Sequence, residues 1–86
     1  ANELPGRLSG YTVQVASYEN ADNANRQVNA LRKQGFDNVY LKTTRSNDGR
    51  QLNKVVVGNF PNRDSAERYL STLKAEHLMD GFIIKL

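Results

Sequence analysis

Residues 13–35 of this chain superimpose on residues 55–77 at a constant offset of 42, without a gap. Seven of the 23 pairs are identical: Val13/Val55, Val15/Val57, Asn20/Asn62, Asp22/Asp64, Ala24/Ala66, Arg26/Arg68 and Leu31/Leu73. Unrelated stretches of average composition would share about one or two. A chain that repeats itself over most of its length is constrained to build one supersecondary unit twice.

Each unit opens on a strand. In residues 11–18, Val13 and Val15 alternate with Thr12, Gln14 and Ala16. A period of two marks a strand with one face in a core. Val55 to Phe60 repeats the plan of valine, any residue, valine, small, any residue, aromatic. Each strand then runs into a helix. Asn20 is placed to cap the first, because its side chain can accept an orphan backbone N–H. Ala24, Val28 and Leu31 recur at helical spacing, so this helix is expected over 20–34. Gly35 stands where a left-handed C-terminal residue belongs, with Phe36 over the helix end. Asn62 caps the second helix, expected over 62–76. Ala66, Tyr69, Leu70 and Leu73 form its apolar stripe, and Asp64 and Glu67 lie in its first turn, where the helix dipole favours them.

Between the units lies a hairpin. A second strand is expected over 39–44 and a third over 52–58, joined by Asn47-Asp48-Gly49. A two-residue turn would set Leu41 opposite Val56 and put apolar residues on the wrong face. A three-residue loop with Gly49 left-handed sets Leu41 opposite Val55 and Val39 opposite Val57. The second is preferred, since a slip by one flips every side chain. A last strand is expected over 82–86, with Phe82, Ile84 and Leu86 inward.

The order is β-α-β-β-α-β. Right-handed crossovers put both helices on one side. The fold class is therefore α+β, ferredoxin-like or RNP-like: a four-stranded antiparallel sheet in order 4-1-3-2 with two helices on one face. The other face is expected to be bare. It collects Thr12, Gln14 and Ala16, then Lys54 and Val56, then Tyr40, Lys42 and Thr44. Lys42 falls opposite Lys54, a mildly unfavourable pairing. An anion between them would remove that cost; two lysines diverging into water would also do so. Tyr40 can stack on a ring or pack on its neighbours. Ser17 and Asn59, equivalent in the two repeats, can contact a ligand or serve turn hydrogen bonds.

Composition narrows the chemistry. With 86 residues the chain forms one domain. Residues 1–9, with Pro5-Gly6, read as a linker or tail, and the domain is expected over 10–86. Ala1 in place of Met suggests a piece of something larger. No apolar run of about 18 residues exists to span a membrane. There is no cysteine, hence no disulfide and no thiolate site. His77 is the lone histidine, the carboxylates form no acid–base pair, and the glycines are singles in turns or at strand ends. An enzyme, a metal site and a cofactor are not expected. The net charge of +3 weakly favours nucleic acid, anionic glycan or a membrane surface, and serves solubility equally well.

The stretch from Tyr11 to Tyr18, the Asn-x-x-x-Ala helix start, Gly35-Phe36, and Lys54 to Phe60 with Ala66 and Leu73 together resemble a SPOR domain. SPOR domains are sporulation-related repeats of bacterial cell-envelope proteins. The resemblance covers residues 10–86. It implies a non-catalytic module that binds peptidoglycan, preferring glycan strands stripped of stem peptides, as found at division sites. It implies a periplasmic or otherwise extracytoplasmic location. It also implies that Gln14, Ser17 and Lys54 are ligand residues, on the face left bare by the alternation. Ala16 replaces the family's usual Gly, and Asn59 its usual Pro. Leu52 and Asn53 stand where many members carry an aromatic, which shifts sugar stacking toward Tyr40. The ligand set is thus Gln14, Ser17, Tyr40, Lys42, Lys54, Val56, Thr12 and Asn59, in a domain expected to be monomeric. Two readings compete. A single-stranded RNA-binding domain would share the topology, but it places aromatics where Gln14, Ala16, Lys54 and Val56 stand. A ferredoxin-like protein-interaction domain is compatible with the fold alone.

Overall fold

The computed structural model describes residues 10–86, so the expected linker over 1–9 lies outside the described residues. The elements are β1 (Tyr11–Tyr18), α1 (Ala21–Lys33), β2 (Val39–Arg45), β3 (Gln51–Phe60), α2 (Arg63–Glu76) and β4 (Phe82–Lys85). The strands form one antiparallel sheet in order β2-β3-β1-β4, the expected order read from its other edge. Ala24, Val28 and Leu31 of α1 and Leu73 of α2 join Val13, Val39, Leu41, Val55 and Val57 in one core. Both helices therefore cover the same face.

The helix ends follow local chemistry. Asn20 Oδ1 accepts the N–H groups of Asp22 at 2.8 Å and Asn23 at 3.2 Å. Asn62 Oδ1 accepts that of Ser65 at 2.9 Å. Gly35, at φ 104°, closes α1 as the glycine placement required. Its N–H donates to Arg32 O at 3.0 Å, and Phe36 N–H donates to Leu31 O at 3.1 Å. That pair satisfies two orphan carbonyls and folds Phe36 over the helix end. Its ring meets His77 edge-on at 4.9 Å.

The hairpin takes the three-residue loop. Ser46 N–H donates to Arg50 O at 2.8 Å, and Gly49 has φ 84°. Leu41 faces Val55, Val39 faces Val57, and Lys42 faces Lys54.

Two expectations fail, both over which face a side chain takes. In β1, Gln14 pairs with Val56, but Ala16 pairs with Val55. One extra residue, Val15, is accommodated as a bulge. Beyond it every side chain changes face. Ala16 and Tyr18 turn inward and pack against the core. Ser17 turns outward and pairs with Lys54. Ala16 is thus not part of the outer face. In β4, Val13 faces Ile83 while Gln14 faces Phe82 and Thr12 faces Ile84. Directly opposite residues share a face, so Ile83 points inward and packs against the core. Phe82 and Ile84 lie on the outer face, opposite to expectation. An apolar run of three carries no alternation from which its inward member could be read.

Candidate functional site

On the face away from the helices the pairings fall into rows. Tyr40, Val56, Gln14 and Phe82 lie in line across all four strands. The next row runs Lys42, Lys54, Ser17. The bulge at Val15 creates this second row, since without it Ser17 would point into the core. Gln14, Ser17, Lys54, Lys42, Tyr40 and Val56 are thereby gathered on two adjacent rows.

The centre of this face is less open than expected. Val56 is fully buried, and Gln14 is 7% exposed. At the spacing of opposed strand residues, about 4.5–5.5 Å between Cβ atoms, a residue flanked by larger neighbours loses contact with water. Tyr40, Lys42 and Lys54 are half-buried, and Ser17 is exposed. Burial leaves Gln14 in an unusual state: its Oε1 is buried without a hydrogen-bond partner. An unpaired buried acceptor costs about 1–3 kcal/mol, and such atoms are few in folded proteins.

Two residues of the expected set lie elsewhere. Thr12 is fully buried, and its hydroxyl sits against the carbonyls of Val57 at 3.1 Å and Gly58 at 2.6 Å. It braces a second irregularity, between Val57 and Phe60, where Gly58 takes φ 82°. Asn59 is exposed at that same place. Because β1 and β3 run antiparallel, equivalent positions of the two repeats fall at opposite ends of the sheet. Ser17 and Asn59 are consequently about 15–20 Å apart by strand rise, and they do not share one site.

Three residues were not expected at the site: Asp80, Gly81 and Phe82, the last having been expected in the core. With Gln14, Val15, Ala16 and Ser17 they line a shallow cleft between β1 and β4, of about 320 Å³. Phe82 is 57% exposed. Gly81 lets the turn close onto β1: a Cβ there would meet Gln14 O at 2.5 Å and Val13 Cγ1 at 3.2 Å. Asp80 Oδ1 accepts the Gly81 N–H at 2.8 Å and faces Lys74 Nζ at 3.6 Å. A glycine directly before an aromatic, after an acidic turn residue, was the available signal. Its weight depended on the face Phe82 would take.

The arrangement offers polar hydrogen-bonding groups, cations and two aromatic rings, Tyr40 and Phe82, on one sheet face. Among the described residues no group of three or more His, Cys, Asp or Glu could hold a metal ion, and no helix is long and apolar enough to cross a membrane. A SPOR domain family model matches residues 8–85, nearly the whole chain.

The chain belongs to the SPOR domain family.

It is thus a member of a non-catalytic family of peptidoglycan-binding modules from cell-envelope proteins. Comparison with curated proteins gave no significant match, and comparison with solved structures gave none.

Proposed function

We propose that this SPOR domain, residues 10–86, recognises peptidoglycan glycan strands lacking stem peptides through the two rows centred on Gln14. By that binding it directs its parent protein to septal or remodelled wall in the periplasm, as a monomer. The observation that carries the reading is the Gln14 carboxamide, held on a rigid strand with a buried, unpartnered oxygen. With the side chain turned out toward the cleft it lines, a bound sugar bearing a hydroxyl or amide donor would satisfy it. Ser17 and Lys54 stand in the next row to add polar contacts, and Lys42 beside Lys54 suits a carboxylate such as the lactyl group of muramic acid. Each direct hydrogen bond contributes about 0.5–1.5 kcal/mol net, so affinity is modest and spread over several contacts. A stem peptide on muramic acid would crowd a face this shallow, which gives a physical ground for preferring stripped strands. Val56 fills the row between Tyr40 and Gln14, while Thr12 and Asn59 lie outside the site.

Sedimentation with amidase-treated and untreated sacculi tests this. The parent domain should pellet with treated sacculi more than with untreated ones, and RNA should not compete. Gln14→Ala should bind less yet melt no lower, because it removes an unpaired buried oxygen along with the contact. Lys42→Gln or Lys54→Gln should weaken binding and flatten its salt dependence, as screening of a charge contact requires. A parent that ignores both kinds of sacculi, or that prefers RNA, would overturn the reading.

A further inference from the structure

We propose that Gln14 and Phe82 form a subsite for the 2-acetamido group of an amino sugar, so that N-deacetylation of the glycan turns this SPOR domain away. This rests on the peptidoglycan reading above and names the chemical group that its central residue would read.

The argument starts from the unpartnered Gln14 Oε1. A carboxamide carries an acceptor and a two-hydrogen donor side by side. A secondary amide on a ligand presents the matching pair, N–H beside C=O. With the Gln14 side chain turned toward the cleft it lines, amide against amide fills both sides at once. The match holds whichever way the Gln14 amide is turned, because the ligand offers both groups. Hydroxyls can also donate, but an acetamide brings a methyl group as well, and a methyl needs apolar cover.

Phe82 supplies that cover. It stands directly opposite Gln14 in the ladder, on the same face. Phe82 and Leu78 are the large hydrophobic residues left exposed among those described, and Phe82 alone of the two borders the cleft. Its ring is absent from the core formed by the described residues. Gly81 holds the turn close enough to β1 for ring and carboxamide to flank one small group.

Losing the acetyl group removes contacts from both sides of the subsite. Deacetylation leaves an ammonium in place of the amide. The ammonium has no methyl for Phe82 and no carbonyl for the Gln14 NH₂. Lys54 lies one row along and one strand across from Gln14, about 8 Å away by strand spacing and rise, and Lys42 a further strand off. Asp80 borders the cleft with the opposite sign, but its Oδ1 is already engaged by the Gly81 N–H and by Lys74. Asp80 lies nearer the cleft than either lysine, so the lost methyl and carbonyl contacts, not charge, disfavour the deacetylated ligand.

The test uses stripped glycan strands in three forms: N-acetylated, N-deacetylated, and chemically re-acetylated. The parent domain should bind the deacetylated strands about tenfold more weakly, the scale of one lost good contact, and re-acetylation should restore binding. Phe82→Ala should melt like the parent, bind acetylated strands several-fold more weakly, and discriminate little between the forms. Equal binding of the parent to acetylated and deacetylated strands would overturn the proposal, as would a Phe82→Ala domain that binds and discriminates like the parent. A parent that binds no acetylated strand would instead remove the peptidoglycan reading, and the subsite with it.

Discussion

The two repeats share a core and part company at their ends. α1 closes on Gly35, with both terminal carbonyl bonds made. At the equivalent place in the second repeat stands His77, and the left-handed residue is the next one, Leu78, at φ 53° and 91% exposed. A left-handed residue with a side chain costs about 1–2 kcal/mol. The first repeat ends without strain. The second holds strain in the turn that leads through Asp80 and Gly81 into the cleft, the kind of place where strain tends to persist for function. The same divergence marks the strands. Gln14 and Val56 are equivalent in the repeat and opposed in the sheet. One carries an unpaired oxygen, and the other is plain apolar filling. Duplication preserved the contacts that hold the core and released those on the outer face.

The largest test of that comparison is in the core. Leu31 and Leu73 are equivalent, 2% and 1% exposed respectively. Leu31→Ala and Leu73→Ala should each lower stability by about 2–5 kcal/mol, and by similar amounts, in denaturant unfolding. A Leu31→Ala domain that melts like the parent would break the symmetry at its root. The caps come next. Asn20 accepts two backbone N–H groups and Asn62 one. Both Asn→Ala variants should lose about 0.5–2 kcal/mol, Asn20→Ala the more, and an equal loss would discount the second bond. Leu78→Gly should gain up to about 1 kcal/mol by relieving the left-handed turn. A loss on thermal melting would show that the Leu78 side chain supports the fold after all.

The smallest effect lies in the hairpin that joins the repeats. The Ser46 hydroxyl and then the Arg50 N–H bond the Asp48 carboxylate and hold its pKa below the ordinary 3.8. A carboxyl depressed on folding contributes stability that is fully present above its unfolded value and is lost as pH falls through its folded one. The melting difference between the parent and Asp48→Asn should therefore shrink as pH drops below 3.8. Asp48 is fully exposed, so the shift should be slight. A difference that grows in acid would reverse the assigned sign.

Within the site, legibility followed whether a side chain's face could be derived from its neighbours. Gln14, Lys42 and Lys54 were legible, because Val13 in β1 and the hairpin register pinned them. Ser17 reached the same face only by way of the bulge. One mark of that bulge stood in the sequence: Tyr18 is an aromatic out of phase with Val13 and Val15, and turning it inward requires a slip of one residue. Phe82 had no such mark, since Phe82-Ile83-Ile84 offers three apolar residues for one inward place.

The sequence by itself determined the element order, the sheet topology, the caps at Asn20, Asn62 and Gly35, and the hairpin loop. Each of these follows from interactions a few residues apart or from a pattern repeated at a fixed offset. The tertiary structure alone decided that Val15 is the extra residue, that Ile83 rather than Phe82 enters the core, and that the Gln14 oxygen is buried without a partner. These outcomes turn on which strand lies beside which, and in what register. Ladder pairing is settled between segments up to about 70 residues apart, as between Gln14 and Phe82. A bulge changes the face of everything after it, so one non-local choice at Val15 rewrote the surface where this SPOR domain meets its proposed ligand.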